Sequence, residues 1–240
     1  MYQDPEMNNQ FENIIGSAGL FEDKKVRHGF IKKVYSLLSI QLLITVAIVA
    51  LFALNDALNG WAKTNRWFPI ASFSVAFVIL ITISCMGELR RKHIHNLIAL
   101  FAFTIAESLM LAAVTVMFHT KVLMIAGGLT FVICMGLTLF ALQTRYDFTT
   151  KSGIMMTVLL VALLGSILSI IYQSRATEIG ISSVMAIIMG IFLVIDTQMI
   201  MGGTHKIQIS PEEYIFAAIN LYLDIINMFL QILTIIGHDR

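Results

Sequence analysis

Three carboxylates lie inside long apolar runs: Glu107 in FTIAESLML, Asp196 in FLVIDTQMI and Asp224 in NLYLDIINMF. An acid at the centre of a membrane helix costs ~2.5–3.5 kcal/mol on the insertion scale, so it normally has a partner, water or a task. Asp196 and Asp224 flank the turn GGTHKIQISPEE, about nine residues before His205 and about thirteen after Pro211. At 1.5 Å per residue these are depths of roughly 14 and 20 Å. Glu107, about eleven residues beyond Asn96, lies roughly 16 Å in. The three acids are therefore expected at similar depth. At ~4 Å and an effective dielectric near 20, two ionised carboxylates repel by about 4 kcal/mol. A close pair therefore shares a proton and titrates as one unit. Loss of that proton leaves a dianionic oxygen site, and hard oxygen ligands suit Ca²⁺. The pair Asp196–Asp224 is thus a candidate proton-sensing and Ca²⁺-binding site on a cation path. The competing reading is a protonated pair that ties two helices together.

The last apolar run carries a polar stripe. Asn220, Asp224, Asn227 and Gln231 follow at spacings of four, three and four, which sets them on one helical face. Such a stripe lines a hydrated cavity or hydrogen-bonds neighbouring helices. Arg90, in the basic run ELRRKHIH, is a candidate cationic partner for the acids, although the run also reads as a determinant of topology. His205 reads as a surface residue. HExxH, CxxC, GxSxG and phosphate-loop spacings are missing, so no cofactor is expected.

Seven apolar segments position these groups, at 34–54, 68–87, 96–118, 122–142, 153–173, 178–201 and 213–236. Each is about 20 residues long, enough to cross a ~30 Å hydrocarbon core. Period-two alternation, the mark of a membrane barrel, is missing. Of the 240 residues, 58% are hydrophobic and only 13% charged, about half the usual charged share. That is too few charges to cover a soluble domain of this size. The expected fold class is an all-α integral membrane protein, a seven-transmembrane-helix bundle over 31–240 with a cytosolic N-terminal tail over 1–30. The tail lacks the compact apolar core of a secretory signal. Net charge +1 excludes bulk attraction to nucleic acid. Cys85 and Cys134 lie in or beside apolar runs, which argues against a disulfide framework. Lys and Arg concentrate in the tail and in alternate connections, including Arg90, Arg145, Lys151 and Lys206. The bias places the N-terminus in the cytosol. With seven spans the C-terminus lies on the far side, unless the acid in the last segment makes that segment re-entrant.

The stretch SPEEYIFAAINLYLDIINMFLQIL (Ser210 to Leu233), together with IDTQ (Ile195 to Gln198), resembles the Bax inhibitor-1 or transmembrane Bax-inhibitor-motif family. QTRYDFT (Gln143 to Thr149), GELRRKH (Gly87 to His93) and VRHGFIKKVYSLLSIQLL (Val26 to Leu43) resemble its Lifeguard branch. The resemblance implies a seven-helix protein of endoplasmic reticulum or Golgi membranes. It also implies a pH-sensitive Ca²⁺ leak from stores and suppression of cell death. The family's two functional aspartates carry over to Asp196 and Asp224, and its basic residue at the end of the second helix to Arg90. Expected partners are the lipid bilayer, Ca²⁺ as permeant or bound ion, and cell-death regulators or calcium-release proteins. Two other readings compete: an adaptor of cell-death regulation without ion flux, and an intramembrane aspartyl protease. The second lacks a GxGD-like run around Asp224, so the protein is read as a non-enzyme.

Overall fold

A computed structural model describes residues 5–85, 93–171, 174–202 and 206–237. The described residues form eight α-helices: α1 (Pro5–Leu54), α2 (Asp56–Thr64), α3 (Trp67–Cys85), α4 (His93–Thr115), α5 (Thr120–Gln143), α6 (Ser152–Ile171), α7 (Arg175–Met201) and α8 (Tyr214–Gly237). Short 3₁₀ turns at Phe148–Lys151 and Pro211–Glu213 introduce α6 and α8. Each of the seven apolar segments coincides with a helix. By length and apolarity alone, five helices qualify as membrane crossings, and the α2–α3 pair makes a sixth. The described apolar stretch of α6, Gly153–Gly165, is shorter than a span.

Two departures from the sequence reading stand out. The backbone of α1 begins at Pro5, so the tail continues the first apolar segment as one helix. The connection after the first segment contains α2, which meets α3 at 87°. Asn55 caps α2, its side-chain oxygen accepting from the amides of Ala57 and Leu58, as expected of an N-cap asparagine. Trp61 on α2 and Trp67 on α3 meet edge to face at 6.2 Å, around Phe68.

The bundle places α7 and α8 at its centre. Residues 193–198 of α7 are all buried, so neighbours surround that stretch on every side. On α8 the buried set Ile215, Ala218, Ile219, Leu221, Tyr222 and Met228 likewise wraps most of the circumference. Many of the apolar residues of α5 and α6 are exposed instead, as suits helices whose outer faces meet lipid. The helix α8 runs unbroken for 24 residues, about 36 Å. Its far end, Gly237, rests against the ring of Phe118 beyond α4. The last segment is therefore one unbroken helix, long and apolar enough to cross a membrane.

Candidate functional site

Asp196 and Asp224 come together where α7 and α8 cross. Both are buried, at 7% and 9% exposure, and their carboxyl groups lie within hydrogen-bonding range of each other. A carboxylate only accepts, so a hydrogen bond between two carboxyl groups needs a proton on one of them. The second oxygen of Asp224, Oδ2, is fully buried and has no hydrogen-bond partner. From α5, Cys134 stands beside Asp224 and its Sγ is 3.8 Å from Met228 Sδ. That thiol is free and buried. Among the described residues no group of three or more His, Cys, Asp or Glu side chains is placed to hold a metal ion. Ca²⁺ takes six to eight oxygen ligands, more than these two carboxylates supply.

The remaining residues singled out from sequence separate. Asn220, Asn227 and Gln231 share the Asp224 side of α8 but are only half-buried. Asn227 donates from Nδ2 to its own helix at Leu223 O, 2.8 Å away, and so is occupied there. Arg90 and His205 lie outside the described residues.

Glu107 is buried at 8% exposure. It lies near Tyr222. Tyr222 precedes Asp224 by two residues, about 200° around the helix.

Around Tyr222 lies a neutral polar cluster that sequence reading missed. Thr45 Oγ1 on α1 is 2.9 Å from the Tyr222 hydroxyl and 2.8 Å from Ser108 Oγ on α4. Gln41 Nε2 donates to Thr104 Oγ1 at 3.0 Å. Gln41 and Thr45 are one turn apart on α1, as are Thr104 and Ser108 on α4, and that matched spacing of four was the available signal.

Gln198, the last residue of IDTQ, is fully buried. It donates from Nε2 to Tyr146 O and accepts at Oε1 from Phe148 N, both at 2.9 Å. It thereby fixes the α5–α6 connection onto α7. In that connection Asp147 Oδ1 accepts from the Thr149 amide and hydroxyl, and its Oδ2 accepts from Lys206 N at 3.0 Å. The sequence motif QTRYDFT is thus a brace for the α7–α8 turn.

An all-helical membrane bundle with two contacting buried acids on its last two helices defines the class of protein. The family described as Bax1-I, Inhibitor of apoptosis-promoting Bax1, matches residues 27–240, and the chain belongs to it. Human Protein lifeguard 3 is 36% identical over 226 residues, 92% of this chain and 72% of that protein. The mouse protein of the same name is 33% identical over 223 residues, covering 91% and 72%. The Golgi anti-apoptotic protein of Vaccinia virus (strain Lister) is 33% identical over 223 residues, covering 92% and 90%.

Proposed function

We propose that this chain suppresses cell death from an intracellular membrane, Golgi or endoplasmic reticulum, as a pH-sensitive Ca²⁺ leak gated by Asp196 and Asp224. The contact between the two buried carboxyls carries the reading. A contact that needs a shared proton holds α7 to α8 while the proton is present and becomes a repulsive dianion when it leaves. A dianion among lipid-embedded helices draws in cations or water, which supplies a path for Ca²⁺. The relatives' names support the anti-apoptotic role and, for the viral one, the Golgi. The N-terminus and the α7–α8 turn face the cytosol in this reading, in line with the distribution of basic residues. The test is Ca²⁺ efflux from dye-loaded vesicles between pH 5 and 8, comparing wild type with the double variant Asp196→Asn, Asp224→Asn. The double variant is expected to lose the pH dependence. A wild-type pH profile in that variant refutes the gate, and cytoprotection surviving without flux favours an adaptor.

A further inference from the structure

We propose that Arg27 is a positioning residue for the aspartate pair: it clamps the turn joining α7 to α8 and so holds the two acid-bearing helices in register. The proposal rests on the gating role of Asp196 and Asp224. Arg27 stands near the start of the membrane-embedded part of α1, far from the turn in sequence. Its Nη1 donates to Ile209 O at 2.7 Å, and its Nη2 donates to Gln208 Oε1. The guanidinium carbon also lies 5.5 Å from the centre of the Phe30 ring.

The clamp has a built seat. Gly202 ends α7 with φ +64° and ψ −132°, a backbone conformation that favours glycine. The guanidinium occupies the space a side chain at Gly202 would fill. The last turn of α7 contains no basic residue of its own. Arg27 supplies from α1 the cation that the negative end of a helix favours. Ile209, whose carbonyl Arg27 holds, donates its own amide to Met199 O at 3.1 Å. One side chain thus holds Gln208 and Ile209 beside the end of α7, where Gly202 is six residues from Asp196, about 9 Å along the axis. A planar fork of donors suits this task, and an ammonium does not reproduce it.

The experiment uses the full-length protein in vesicles, with Arg27→Ala, Arg27→Lys and Gly202→Ala, each also combined with Asp196→Asn and Asp224→Asn. Arg27→Ala and Gly202→Ala are expected to change Ca²⁺ flux at fixed pH by about fivefold or more, with Arg27→Lys intermediate. In the Asp→Asn background the Arg27→Ala effect is expected to vanish, because coupled residues are non-additive. A flux change below twofold, or one of equal size in both backgrounds, overturns the clamp. Failure of the gate itself shows separately, as a wild type without pH-sensitive flux. The clamp is then read from the infrared C=O band of the protonated carboxyl, identified by its loss in the Asp→Asn variants. A band that shifts in Arg27→Ala upholds the positioning role, and an unshifted band overturns it.

Discussion

Replacing Gln198 with leucine tests whether the α5–α6 connection is held by a single side chain. Leucine nearly conserves the volume of glutamine, so packing changes little while both hydrogen bonds are lost. The magnitude follows from the two groups left behind. Phe148 N is half-buried and loses its acceptor, which costs about 1–3 kcal/mol. Tyr146 O belongs to an exposed residue, so water replaces most of the lost donor and the cost there is below about 1 kcal/mol. The sum, roughly 1–4 kcal/mol, corresponds to a fall of about 2–16 °C in Tm for a chain of this size. A thiol-reactive dye reads the transition through the buried Cys134, in a Cys85→Ser background. Hydrogen exchange over residues 144–151 is expected to rise before global unfolding, because the connection loses its tether first. A Tm within about 1 °C of the parent, which is under about 0.5 kcal/mol for a chain of this size, together with unchanged exchange at 144–151, refutes the argument.

Tyr222→Phe removes the hydroxyl bonded to Thr45 and is expected to cost about 1–2 kcal/mol. In a Thr45→Val background the same change is expected to cost less, because the partner is already absent, and equal costs in the two backgrounds break the proposed link. Glu107→Gln is expected to leave the pH profile of Ca²⁺ flux in place, since Glu107 neighbours Tyr222, which points about 200° around α8 from Asp224. A lost profile returns Glu107 to the gate.

The helices were legible because their signal is length and apolarity, both one-dimensional properties. The bounds of α5, read as 122–142, fall within Thr120–Gln143, and those of α7, read as 178–201, within Arg175–Met201. The nine-residue α2 was not legible by that signal, because a helix lying at 87° to its successor needs no 20-residue apolar run. It carried a local cue instead, Asn55 before Asp56 and an apolar pair at Leu58 and Trp61. The pairing of Asp196 with Asp224 was legible because they flank one turn at comparable height. Arg27 was read only as one more positive charge in the tail, since nothing local to Val26–Phe30 specifies a carbonyl 182 residues away. Gln198 was visible as a motif letter without a role, because its partners lie on a connection whose path no periodicity reports.

The two polar contacts of α8 differ in kind, and the difference fixes which part of the bundle is free to move. On one face Tyr222 joins Thr45 and, through it, Ser108, all hydroxyls without charge. That contact survives any change of pH in the physiological range, and it fastens α8 to α1 and α4. On the opposite face Asp224 meets Asp196 through groups whose contact needs a proton. In the proposed gate, loss of that proton is expected to leave α8 with α1 and α4 and to displace α7. Gln198 and Asp147 bind the end of α7 and its turn to the α5–α6 connection, so that connection travels with α7. Arg27 alone among the described contacts named here bridges from α1 to the turn at this end, and its bonds to Ile209 and Gln208 oppose the displacement. The proton-dependent contact and the clamp therefore act on the same boundary, one at the depth of the acids and the other at the turn.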